Sequence, residues 1–151
     1  MHDYAFRDAQ RVSKLALSIA WHAGLTREVV TTAGERLAII FPGHWTHGHG
    51  PDFRNAMLEG DDGRLLIGAA ELHHRATDWT RRGHHTDPAY NDVVLHVVTE
   101  PDTSETRRLD GALVPMAVLH IPETQLRAVE KRRPEIWDRF GGRRLCRSPR
   151  P

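Results

Sequence analysis

At 151 residues and 17.2 kDa the chain is the size of one domain with a single core. Twenty-one basic and twenty acidic side chains leave a formal charge of +1, which removes any whole-chain electrostatic argument for nucleic acid or an anionic membrane. The lone cysteine, Cys146, rules out an internal disulfide, and the apolar run at residues 15–21 is too short to span a bilayer and does not look like a leader, so a soluble, cytoplasmic protein is expected.

In chain order, Phe6, Val12, Leu15, Ile19 and Ala20 recur at helical spacing and predict a helix over 3–24, ended by Gly24. β-Branched runs at 29–32 and 37–41 flank Ala33-Gly34 and predict a hairpin. Residues 44–50, H-W-T-H-G-H-G, have no apolar period and read as a loop in which His44, His47 and His49 are spare metal donors. A second hairpin is expected from strands 53–58 and 64–74 around the turn at 59–63, with Ile67, Ala69, Glu71 and His73 on one face of the returning strand. Residues 78–90 read as a loop with one helical turn, and 93–98 as a strand covered on both faces and interrupted by His96.

Residues 100–110 form a polar loop, and 112–121 a last strand in which Pro115 marks an edge or a bulge. Residues 123–140 are helical in composition, with a break before Pro134. The expected domain is residues 1–140, followed by a basic disordered tail at 141–151. From Arg127 onward nine basic side chains face three acidic ones, which offers a phosphate-contacting arm or a merely solvated end. The predicted fold is α/β: a mixed, twisted sheet of five to six strands, with the N-terminal helix on one face and the C-terminal helix on another.

The chemistry concentrates between Gly48 and Val98. Asp52 opens one predicted strand, and Glu71 and His73 sit on its hairpin partner, so two carboxylates meet on one face at the strand ends. Two hard oxygen ligands there suit Mg²⁺ or Mn²⁺, and an imidazole two residues on would reach an attacking water. His84, His85, Asp87 and His96 would add an imidazole and carboxylate cluster, which suits Zn²⁺, Mn²⁺ or Fe²⁺ better than Mg²⁺. In D-P-A-Y-N, Asp87 serves equally well as a turn cap, Pro88 as its start and Tyr90 as packing.

Pro51-Asp52 followed by Glu71-Leu72-His73 resembles the restriction-endonuclease-like PD-(D/E)XK phosphodiesterases, with His73 where that pattern has lysine. A longer string, Pro42-Gly43, Trp45, G-P-D-F-R-N-A at 50–56, G-A-A-E-L-H at 68–73, Asp78-Trp79 and G-H-H-T-D-P-A-Y-N-D-V-V-L-H-V-V at 83–98, resembles the uncharacterised bacterial family called domain of unknown function 2851. Thr46 departs from its asparagine, and Ala69-Ala70 from its aspartate and valine. Members of that family are longer, with a helical part beginning near the position of Cys146, so the resemblance implies an N-terminal fragment.

The expected function is a metal-dependent phosphodiesterase of nuclease type acting on DNA or RNA, with a restriction-endonuclease-like fold. Asp52 and Glu71 would hold the metal, with Mg²⁺ or Mn²⁺ ahead of Zn²⁺, and His73 would orient water or phosphate. His85, Asp87 and His96 complete the candidate site as ligands or bases. Two rivals stand beside this reading: a degenerate nuclease fold that binds nucleic acid without cutting, and a metal-bound hydrolase of another substrate.

Overall fold

A computed structural model describes residues 13–139 and shows a mixed α/β fold dominated by sheet. Helix α1 (Lys14–His22) starts where Ser13, in extended conformation, accepts a hydrogen bond from Ala16 N at 3.1 Å. That cap corrects the expected continuous helix from residue 3; residues 1–12 lie outside the described part. Beyond the helix, Gly24 takes a left-handed φ of 76°.

Strands β1 (Glu28–Thr31) and β2 (Arg36–Phe41) form the expected hairpin, with Val29 opposite Leu37. Strand β3 (His44–Trp45) pairs with the head of β4 (Phe53–Gly60), which returns as β5 (Leu65–Arg75). A short helix α2 (Asp78–Arg81) and two 3₁₀ turns, His84–Thr86 and Pro88–Tyr90, cross over to β6 (Val93–Glu100), parallel to β5. A small ribbon of β7 (Thr106–Arg107) and β8 (Leu113–Val114) precedes β9 (Met116–Val118), which runs parallel to β6 and antiparallel to β1.

Because β2 also pairs with β4, the main sheet closes on itself in the order β2-β1-β9-β6-β5-β4, with β3 appended to β4. It has seven strands rather than five or six, because residues read as loop pair as β3. Leu37, Ala56, Leu58, Ala70, Leu72, Leu95, Val97 and Ala117 fill one cluster with Ala16, Leu17, Ala20 and Trp21 of α1. Each leucine or valine among them, fully removed from water, contributes roughly 1.5–3 kcal/mol before entropy is counted.

Helix α3 (Glu123–Arg139) joins α1 rather than taking another face: Leu126 enters the same cluster, and Ser13 N and Oγ both donate to Glu130 Oε1, at 3.0 and 2.7 Å. The two helices share the covering of one apolar cluster. Helix α3 also runs through Pro134, where a break was expected. The basic tail at 141–151 lies outside the described residues. No described helix is long and apolar enough to cross a membrane.

Pro115 splits the expected last strand. Having no N–H, it ends the β8 pairing with β7, while its carbonyl accepts from His96 N at 2.9 Å as β9 begins. Bulges set the remaining faces. Asn55, at φ 61°, marks the irregularity in β4 opposite β5, and an extra residue in β6 near Val94 turns Leu95 and Val97 inward and His96 outward.

Gly68 sits where β5 meets the start of β6: a Cβ there would lie 2.6 Å from both Asp92 O and Val94 Cγ1. Gly68→Ala should therefore cost about 1–3 kcal/mol, as overpacking does. Ser13→Ala should cost about 1 kcal/mol as a lost cap. Urea unfolding of both variants tests the two values.

Candidate metal centre

The ring's strands alternate, so the residues between its apolar side chains face outward. On β5 and β6 these include Ala69, Glu71, His73 and His96, and the α2 segment covers them with Trp79, His84 and Tyr90. A carboxylate and imidazoles are thereby buried on a face that in most sheets meets water. Glu71 and His73 are 2 % and 1 % exposed, and His96 is fully buried.

Glu71 is the hub. Its Oε1 accepts from Asp52 N at 2.9 Å. Its Oε2 lies 3.1 Å from His84 Nε2, 3.2 Å from His73 Nε2 and 3.7 Å from Lys14 Nζ. Asp52 Oδ2 accepts from Leu72 N at 2.9 Å and pairs with Lys14 Nζ at 3.1 Å. His73 Nδ1 is 2.8 Å from His96 Nε2, whose partner nitrogen Nδ1 is 2.8 Å from Thr106 Oγ1.

Electrostatics separates the two acids. Burial, then the Glu71 charge, pushes the Asp52 carboxyl up to about 6 against the pull of Lys14. Burial alone would also raise Glu71, but the imidazoles of His73 and His84 and the Lys14 ammonium outweigh it and hold Glu71 well below the carboxylate range. Burial lowers His73 against the pull of Glu71, and burial followed by the neighbouring His73 lowers His96 to about 3.

Glu71, His73 and His84 each offer one ligand atom within 4.8 Å of the others. His73 Nε2 is buried without an aligned hydrogen-bond partner although it faces Glu71. Ligands on a tetrahedral ion at about 2.0–2.1 Å lie roughly 3.3 Å apart, and the two nitrogen-to-Oε2 separations are 3.1 and 3.2 Å. This buried group can hold a metal ion.

Four other candidates lie outside this three-donor group. Asp52 lies beside the centre but is not one of the three donors; its carboxylate is engaged by Leu72 N and Lys14. His85 is exposed, because neighbouring residues of a 3₁₀ turn point in different directions and His84 takes the inward position. Asp87 accepts from Ala89 N at 2.9 Å and caps the second turn. His96 is opposite Glu71 in the strand register, but its Nε2 meets His73 Nδ1 and not the carboxylate. Among the loop histidines, His47 stacks on Trp45 with ring centroids 4.6 Å apart.

The local sequence explains how His84 is aimed. Gly83 takes a φ of 77°, which begins the first 3₁₀ turn. The Asp87 cap and Pro88 then start the second, which lays Tyr90 flat on His84 at 3.9 Å while Trp79 meets the ring edge-on at 5.3 Å. Lys14 and Thr106 were invisible beforehand. Each is distant in sequence from the motif, and neither residue type nor spacing ties it there.

Asp87→Ala should cost about 1 kcal/mol as a lost cap, whereas exposed His85→Ala should stay within about 0.5 kcal/mol of wild type. Chemical denaturation of the two single variants distinguishes a turn-building Asp87 from a neutral one.

No curated protein and no solved structure matches the chain. A family model described as a protein of unknown function, DUF2851, matches residues 16–134, which include most of α1, the three donors Glu71, His73 and His84, and most of α3. The chain belongs to the DUF2851 family.

Proposed function

We propose that this domain is a metal-dependent phosphodiesterase of nuclease type, with Glu71, His73 and His84 holding a divalent ion. The observation that carries the metal is the buried His73 Nε2, without an aligned partner and facing a carboxylate that a second imidazole also approaches. Two nitrogens and one oxygen favour Zn²⁺, or Mn²⁺ and Fe²⁺, over Mg²⁺. Three protein donors leave a position for water or substrate, and an ion bound there supplies Lewis acidity toward a phosphoryl oxygen and a more acidic water.

The phosphodiester half of the reading draws on the layout. Asp52 stands just ahead of β4, Glu71 lies on the antiparallel β5, and β6 follows in parallel after a helical crossover. This resembles the arrangement of restriction-endonuclease-like enzymes. His73 occupies the lysine position of that pattern, but Lys14 brings an ammonium to the same carboxylates from α1. Asp52 holds that ammonium in place, and as the most exposed member of the group Lys14 is suited to pair with a phosphate oxygen.

Calorimetric titration of Zn²⁺, Mn²⁺ and Mg²⁺ into metal-free protein should show one ion per chain, with Zn²⁺ tightest. Glu71→Gln should abolish binding, and Asp52→Asn should retain it. Lys14→Met should bind Zn²⁺ at least as tightly, since a nearby cation is gone, while metal-dependent cleavage of DNA or RNA should fall about 10²–10³-fold. Absence of binding by any of the three ions would sink the proposal. Binding without cleavage, accompanied by steeply salt-dependent nucleic-acid affinity, would favour the degenerate binder; zinc binding with no nucleic-acid affinity would favour another substrate.

A further inference from the structure

The imidazole of His73 is the middle of a chain of contacts that leaves the centre and crosses two strands. Its Nδ1 lies 2.8 Å from His96 Nε2, and His96 Nδ1 lies 2.8 Å from Thr106 Oγ1. Thr106 is itself buried, and it sits on β7, which two contacts hold down. Val114 pairs with Thr106 across the ribbon, and the Trp79 indole N–H donates to the carbonyl of Arg107, the next residue, at 2.8 Å. The Trp79 ring also packs 5.1 Å from His96.

Two neutral rings that share one N···N hydrogen bond allow two proton arrangements. In the first, Thr106 O–H donates to His96 Nδ1, His96 Nε2–H donates to His73 Nδ1, and the His73 proton sits on Nε2. That proton faces Glu71 Oε2 at 3.2 Å, though without good alignment. In the second, His73 Nδ1–H donates to His96 Nε2, His96 Nδ1–H donates to Thr106 Oγ1, and His73 Nε2 carries only a lone pair, aimed at Glu71. The first suits the metal-free carboxylate, and a divalent ion between Glu71 and His73 would need the lone pair and so select the second.

We infer that His96 and Thr106 are positioning residues that orient His73 and accept its Nδ1–H when Nε2 binds a metal shared with Glu71 and His84. The inference rests on the metal reading of that centre. It gives the interruption of an apolar strand by His96 a function, and it extends the site to Thr106. A metal-bound imidazole commonly donates its second N–H to an outer partner, and losing that partner typically costs 10–100-fold in metal affinity.

The test is ¹⁵N imidazole NMR on metal-free and zinc-loaded protein, joined to Zn²⁺ competition titration, for wild type, Thr106→Val and Thr106→Ser. Wild-type His73 should change from Nε2–H without zinc to Nδ1–H with it. Thr106→Val, close in shape but without a hydroxyl, should weaken zinc 10–100-fold, and Thr106→Ser should restore it. Zinc bound with no change at His73, or wild-type zinc affinity in Thr106→Val, would overturn the relay. If Thr106→Val does not fold, the wild-type spectra decide alone. No zinc binding by wild type would overturn the metal reading and the relay with it.

Discussion

A carboxylate taken out of water on the outer face of a sheet has to be answered by donors, and in this protein Glu71 is that carboxylate. Its answer comes from every direction: a backbone N–H from β4, an imidazole from the crossover, a less well aligned one from its own strand and an ammonium from α1. An ionised group in such surroundings is tolerated only when nearly all its lone pairs are engaged. Much of the architecture around β5 can be read as supplying those partners. The motif strings that stand out in the sequence are largely the residues that supply or aim them.

Two features of this arrangement underlie the proposed metal site. A network built only for stability would be expected to close all of its hydrogen bonds, yet His73 Nε2 is buried without an aligned partner. The cation is also the least buried member of the group, at 34 % side-chain exposure for Lys14 against 2 % for Glu71. Both features place the open chemistry on one side of the carboxylate. Asp52 complements them by holding Lys14 and by tying β4 to β5 through Leu72 N, which makes it an organiser of the centre more than a donor to it.

The closed sheet has a consequence for rigidity. Ring closure through β2 and β4 leaves β5 and β6 held on both sides, and β-bulges near Asn55 and Val94 fix which side chains turn in or out. A slip of one residue in β5 would send Glu71 and His73 into the apolar interior and Leu72 to the crossover side. The pleat therefore enforces the site and the core together.

Local pattern was enough to place the paired strands, the buried β6, the shared face of Glu71 and His73, and the concentration of acid and imidazole between residues 48 and 98. Those properties follow from side-chain period and turn chemistry, which act over a few residues. Local pattern did not distinguish His84 from His85, because the turn type that separates them depends on Gly83 and on what packs above. It did not find Lys14 or Thr106, whose roles come from helix docking and ribbon pairing between segments far apart in the chain. Nor did it foresee the shared covering by α1 and α3 or the closure of β2 on β4. Such contacts are decided by how apolar faces find each other once the elements exist, and only the tertiary structure holds that information.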